Sequence, residues 1–469
     1  MTQAGAYKDR VYRRWARKNW YRMARLGLSP GPISMLRLIK RYLWIMAFPK
    51  VNRLMARLMR NRQGAYREAT GFTINQLINA LAIIVGDMHR RRKRLVWHED
   101  LVPPEILHAM DLAPFMVEML GIVLPMVDTA TGEFYLDEAE NAGIPPDTCT
   151  LPRMSMGLAL CEQFPKPLAI IASNSPCDAG MAQYAFMEKL SGAPIFRLDM
   201  PYRYKDDRAI DYYVSELKKM IAFLEEHTPG RLDYDRLKEV CEERNRTMEL
   251  ELELWDMLRS KPAPLGSDVV FLAHMLFFGL FPGRPEATRL YKGLVEYAKQ
   301  SIKEGGGIPN EKHRILLWNP ATLIFPEIFS WAEEEFGATM IMEMLTFNRH
   351  PFIDTNSPDS MLRGLAQILM QGPMAQHTRG PVEYFFDDLF FIHEHYSIDT
   401  IWMAGHIGCK NTQALLGMMR EKCREKRIPF LVIDYDLGDS RVVSVDGIKE
   451  QVTMFMETVM NKDGNGAGR

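Results

Sequence analysis

Three cysteines stand ahead of helical runs, and two of them directly follow a short apolar run. Cys177 lies in ASNSPCDAG, residues 172–180, after the apolar stretch Leu168–Ala172 and ahead of a helical pattern. Cys409 repeats the arrangement in GHIGCKNT, residues 405–412, between Ile401–Ala404 and a second helical pattern. Cys149, in DTCTLPRMS at 147–155, also precedes a helical run. Helix N-termini favour the thiolate, which is the form that binds metal. Three such thiolates could hold three irons of a 4Fe-4S cluster and leave the fourth open to a substrate. Isolated cysteines are more commonly small buried apolar groups, and that reading stays open for the three. It is preferred for Cys161, Cys241 and Cys423, which fall inside helical patterns.

The elements that must carry these thiols read as alternating strands and helices from about residue 70. Short apolar runs at Arg94–Trp97, Leu168–Ala172, Ile195–Leu198, Ile315–Trp318, Thr339–Met342, Ile401–Ala404 and Phe430–Ile433 alternate with helical patterns such as Tyr212–Glu226 and Leu232–Leu258. Such alternation implies parallel sheets in βαβ units. The expected fold is therefore α/β, with two domains preceded by a basic helical arm. The arm takes residues 1–70, the first domain 71–265 with Cys149 and Cys177, and the second 266–460 with Cys409, split at the Pro-rich Lys261–Gly266. The closing 463–469 reads as a frayed tail. In open α/β sheets ligands gather beyond the carboxyl ends of strands, where Cys177 and Cys409 fall.

Other chemistry is thinner. No Walker A motif and no GxGxxG at a strand-to-helix turn is present, so ATP hydrolysis by this chain is not expected. His393 and His395 read as the end of a helix rather than a metal pair. His406, three residues before Cys409, could donate a proton or a hydrogen bond to a cluster or substrate, or simply brace its loop. Ser173, Asn174 and Ser175 could tune a bound cluster by hydrogen bonds to sulfur, although they are also ordinary loop formers. Arg153 and Lys410 are candidate partners for phosphate, and His98 and Glu99 candidate pocket groups.

The chain of 469 residues carries 58 Lys and Arg against 59 Asp and Glu, a neutral sum that hides a split. The first hundred residues hold 22 basic against 5 acidic side chains. Apart from simple packing, three uses compete for the arm: an anionic membrane surface through residues 1–65, an acidic partner, and nucleic acid, which ranks lowest. The longest uncharged stretch of 35–59 is too short to span a bilayer. With six scattered cysteines and no secretory signal, the expected setting is cytoplasmic, with membrane association at most peripheral.

At the three cysteine segments the sequence resembles the 2-hydroxyacyl-CoA dehydratase and benzoyl-CoA reductase family of iron–sulfur proteins. Further likeness lies in DMPY at 199–202, KPAPL at 261–265, EKHRI at 311–315 and the run from Asp434 to Glu457. The resemblance covers about residues 75–460. It implies paired α/β domains around a 4Fe-4S cluster held by Cys149, Cys177 and Cys409, and an acyl-CoA substrate. It also implies a related smaller catalytic subunit and a separate ATP-hydrolysing activator with its own 4Fe-4S cluster, fed by a ferredoxin-like electron source. GHIGCKNTQAL and DYDLGDSRVVS look closest to the large, B-type subunit of ATP-dependent benzoyl-CoA reductase, which reduces an aromatic thioester by single electrons. A dehydratase subunit that eliminates water through a ketyl radical is the alternative. A non-catalytic assembly or electron-relay subunit is the reading from another class.

Overall fold

The computed structural model describes residues 9–28, 31–202, 206–305, 307–318, 323–347, 351–378 and 382–461. The expected tail at 463–469 and Ser29–Pro30 of the first helix break lie outside them.

Eight strands form two sheets of four, all parallel. The first sheet contains β1 (Leu95–His98), β2 (Ala113–Met116), β3 (Ala169–Ser173) and β4 (Ile195–Leu198), in the order β2-β1-β3-β4. The second contains β5 (His313–Trp318), β6 (Ala338–Glu343), β7 (Thr400–His406) and β8 (Phe430–Tyr435), in the order β6-β5-β7-β8. Both sheets therefore share one wiring, although no sequence repeat is visible between them. β3, β6 and β7 are buried along their whole length, as strands covered by helices on both faces must be.

Seven strands match the apolar runs read from the sequence. β2 was not expected, because Pro114 sits within its four residues. Its edge position explains the tolerance: Pro114 pairs only with Val96 of β1, and an edge strand can lack an amide donor on its open side.

The N-terminal region is helical and joins the core rather than standing free of it. Helices Arg10–Leu28, Pro32–Arg41 and Val51–Leu58, with the 3-10 turn Leu43–Lys50, bury Trp15, Met35, Trp44 and Phe48 in the same apolar core as the sheets. The continuous helix Gly64–Arg90 spans the position where the arm was expected to give way to the first sheet. Among the described residues this is the one helix long and apolar enough to cross a bilayer, and 67% of its apolar window is buried inside the protein. Gly71 in it accepts the Trp15 ring so closely that a Cβ would stand 2.3 Å from the indole.

Candidate functional site

Each of the three cysteines caps a helix. Cys177 is the N-cap residue of Asp178–Ser191, Cys409 of Lys410–Glu425 and Cys149 of Thr150–Leu160. Cys177 follows β3 and Cys409 follows β7, so the two occupy the same place in the two sheets. In both sheets this strand borders the point where the strand order reverses, the crevice that open α/β sheets offer to ligands.

The two halves meet at Cys149. Its Sγ lies 3.3 Å from His406 Nε2 at the end of β7. The backbone of Gly408 comes so near that a Cβ there would stand 2.9 Å from Cys149 Cα, so only glycine admits this approach. Thr150 donates its hydroxyl to Asp436, and Arg153 Nη2 donates to Asp439 Oδ2 at 2.9 Å, which ties the same helix to the loop after β8. Cys409 Sγ accepts from Thr412 Oγ1 at 3.1 Å and from the Thr412 amide at 3.4 Å.

Burial outweighs the helix dipole at two of these thiols. Cys149 is pushed well above the usual thiol range by burial and by the neighbouring Cys177 and Cys409. Burial pushes Cys177 up to about 12. The helix N-termini favour the thiolate, but without a cation burial holds these two groups neutral. Buried Cys241 and Cys423 are pushed up to about 12 as well, so protonation does not separate the two sets. Convergence does, because Cys149, Cys177 and Cys409 share one electrostatic neighbourhood.

Among the described residues no three His, Cys, Asp or Glu side chains stand close enough to grip a single metal ion. Three cysteine sulfurs are the donor type that an iron–sulfur group requires. A cationic cluster would also reverse the protonation bias, since coordination deprotonates a thiol outright. The donor set therefore fits such a group.

The other candidate residues divide by what they already hold. Asn174 is committed to its loop, donating to Asp199 Oδ1 at 2.5 Å and accepting from the Met200 amide at 2.9 Å. Ser173 donates its amide to Glu99 Oε2 at 2.6 Å and accepts the Ser175 amide on Oγ at 3.2 Å. Ser175 is buried, yet among the described residues its hydroxyl has no hydrogen-bond partner. With Cys177, Tyr202, Tyr212 and Thr378 it lines an open cavity of about 640 Å³.

Arg153 does not serve phosphate here: it is buried in ion pairs with Glu140 and Asp439. Lys410 is exposed and pairs with Asp147 at 3.0 Å. His98 is buried with Nδ1 2.8 Å from the Glu99 carbonyl, and burial takes it down to about 4. His393 and His395 close the helix Glu383–His395, as their context implied.

Two acids escaped sequence reasoning. Glu343 ends β6 fully buried, and neither carboxyl oxygen makes a hydrogen bond among the described residues. The amides of Leu345 and Thr346 face it and offset part of the burial, which still pushes it up to about 8. Glu118 is also pushed up to about 8, by burial and then by Asp100, and accepts from Tyr184 Oη at 2.9 Å. Neither is adjacent to a motif, so only the folded packing reveals them.

A family model described as 2-hydroxyglutaryl-CoA dehydratase, D-component, matches residues 101–459, a span that includes all three cysteines. The (R)-2-hydroxyglutaryl-CoA dehydratase subunit alpha of Acidaminococcus fermentans is 29% identical over 158 residues, 33% of this chain and 33% of that protein. The lactoyl-CoA dehydratase subunit alpha of Anaerotignum propionicum is 20% identical over 390 residues, 78% of this chain and 91% of that one. Both relatives are named as dehydratase subunits, which favours the elimination alternative over the expected benzoyl-CoA reductase. The structural frame of two parallel sheets and the match over residues 101–459 lead to one conclusion: the chain belongs to the 2-hydroxyglutaryl-CoA dehydratase D-component family, within the wider group of 2-hydroxyacyl-CoA dehydratases and benzoyl-CoA reductases.

Proposed function

We propose that this chain is a catalytic subunit of a lyase that removes water from a 2-hydroxyacyl-CoA thioester. Cys149, Cys177 and Cys409 would hold a 4Fe-4S cluster there. The observation that carries the reading is three helix-capping thiols within electrostatic reach of one another, with Cys149 3.3 Å from His406. When bound, the cluster would supply low-potential single electrons and a Lewis-acidic iron for the thioester carbonyl. The elimination itself is redox-neutral: the 2-hydroxyl and a proton from C3 leave as water, giving the 2-enoyl thioester.

The chain's own residues have distinct parts in this reading. His406 donates a hydrogen bond to the Cys149 sulfur and acts as a positioning residue. Ser175 offers its unpaired hydroxyl at the cavity wall beside Cys177, while Ser173 and Asn174 hold the loop's shape. The cavity of about 640 Å³ beside Cys177 would receive the acyl end of the substrate. A related smaller subunit and an ATP-hydrolysing activator with its own cluster complete the proposed system, because this chain shows no nucleotide motif. The division into residues 1–70, 71–265 and 266–460 is kept as the proposed organisation.

The test is the product formed under anaerobic conditions with partner subunit, activator, ATP and reductant supplied. An enoyl-CoA from a 2-hydroxyacyl-CoA supports the proposal. A cyclic diene thioester from benzoyl-CoA, with no elimination, would instead assign ring reduction. An iron-free protein active without activator would overturn both.

A further inference from the structure

We propose that the N-terminal helices present a docking face for an anionic phospholipid surface. Trp20, Tyr21, Ile33, Leu36, Leu43 and Met46 are large apolar side chains, and each is more than half exposed. They come from three consecutive elements that touch one another: helix Arg10–Leu28, helix Pro32–Arg41 and the turn Leu43–Lys50. The other sides of the same elements are committed to the core through Trp15, Met35 and Trp44. The exposed apolar groups therefore point away from the core, on sides that the described residues leave uncovered.

Cations are interleaved with them at helical steps. Arg13, Arg17 and Trp20 follow one line of the first helix, and Lys18, Tyr21 and Arg25 the next. Residues 10–62 contain fifteen Lys and Arg and no Asp or Glu. Inward cations are neutralised by the body, as in Lys50 with Asp128, Arg57 with Glu327 and Arg62 with Asp268. Among the described residues the exposed Arg13, Arg17, Arg37, Lys40 and Arg41 form no ion pair.

This combination selects its occupant. Phosphate-rich nucleic acid would use the cations and the two aromatic rings, but it has no use for four exposed aliphatic chains. A lipid headgroup boundary takes all three classes: cations against anionic headgroups, Trp and Tyr at the interface, aliphatic chains just beneath. Each cation near such a surface raises partitioning about fivefold. The face lies wholly before residue 101, outside the span matched by the family model.

The experiment is flotation of the full-length chain with vesicles of phosphatidylcholine alone, or of phosphatidylcholine with phosphatidylglycerol. Expected is capture by the anionic vesicles only, falling at least tenfold between about 0.1 and 0.5 M salt. The exposed pair Arg17→Glu with Arg37→Glu should abolish capture, and Leu36→Ser with Met46→Ser should weaken it at least tenfold, with the thermal transition unchanged in both. Trp20 is the most exposed tryptophan, so brominated lipid should quench emission from the chain but not from a Trp20→Phe variant. Indifference to anionic vesicles, or capture that survives both double variants, overturns the proposal. Binding of single-stranded nucleic acid or of the partner subunit through this face, without vesicle capture, would also overturn it.

Discussion

His406 Nε2 lies 3.3 Å from Cys149 Sγ, and on the opposite side of the ring Nδ1 accepts the Leu437 amide at 3.2 Å. An acceptor Nδ1 leaves the proton of the neutral ring on Nε2, so the imidazole donates to sulfur. Burial, only partly opposed by Asp436, lowers the His406 pKa and supports the neutral form. A donor to sulfur stabilises added negative charge. His406→Ala is therefore expected to lower the reduction potential of the bound cluster and to cost about 10- to 100-fold in activity. His406→Gln, which keeps an N–H donor, should recover part of the potential. Redox titration followed by electron paramagnetic resonance reads both variants.

Cys149→Ala, Cys177→Ala and Cys409→Ala are each expected to lose most bound iron and sulfide after anaerobic purification. Cys241→Ala should keep its iron, since Cys241 is a core residue of the helix Tyr234–Met257, and cost about 1 kcal/mol of stability. Iron and sulfide analysis with thermal denaturation separates the outcomes, and full iron content in all four variants would refute the ligand assignment.

Glu118 makes stability depend on pH in a definite direction. Its folded pKa of about 8 lies above the ordinary glutamate value of 4.5, so the folded chain binds this proton more tightly than the unfolded chain. Its contribution is fully present below about pH 4.5 and is lost as pH rises toward 8. Glu118→Gln removes the penalty and retains an acceptor for Tyr184. The variant should gain stability over the parent between pH 5 and 8, by at most about 1.4 kcal/mol per pH unit. Denaturant titrations at both ends of that range measure it.

Asp439→Asn leaves the buried Arg153 guanidinium with a weakened partner. Breaking a buried pair from one side costs about 3–5 kcal/mol. Because the helix that carries Arg153 starts at Cys149, the loss should appear as a lower melting temperature together with faster release of iron.

Gly157→Ala should be more damaging than its size suggests. A Cβ at this position would stand 1.9 Å from the Tyr135 carbonyl oxygen, where the helices Thr129–Asn141 and Thr150–Leu160 meet backbone to backbone. The helices must separate, at a cost of about 1–3 kcal/mol or more, and poor soluble yield or a lowered melting temperature reports it.

Most of the architecture is legible locally, because buried parallel strands are short apolar runs and helices have their own period. Seven strands declare themselves in this way, whereas β2 hides behind Pro114. The positions of Cys177 and Cys409 follow from the same logic, since strand, loop and helix succeed one another in sequence, whereas Cys149 comes after a helix. Arg153 is misread and Lys410 only half read, because charge type says nothing about partners. Glu140, Asp439 and Asp147 are brought to them by the fold. Glu343 is silent for the opposite reason: an acid that closes a strand looks like a surface residue until the sheet is covered.

The seam at Cys149 has a consequence for traffic through the molecule. Gly408 touches the Cys149 backbone, Thr150 is latched to Asp436 and Arg153 to Asp439, so the two halves are fastened on the side where the thiols meet. Prying them apart would break a close-packed backbone contact and a buried ion pair at once. The cavity lined by Tyr202 and Thr378 is already open to solvent, so a ligand can enter it with the seam closed.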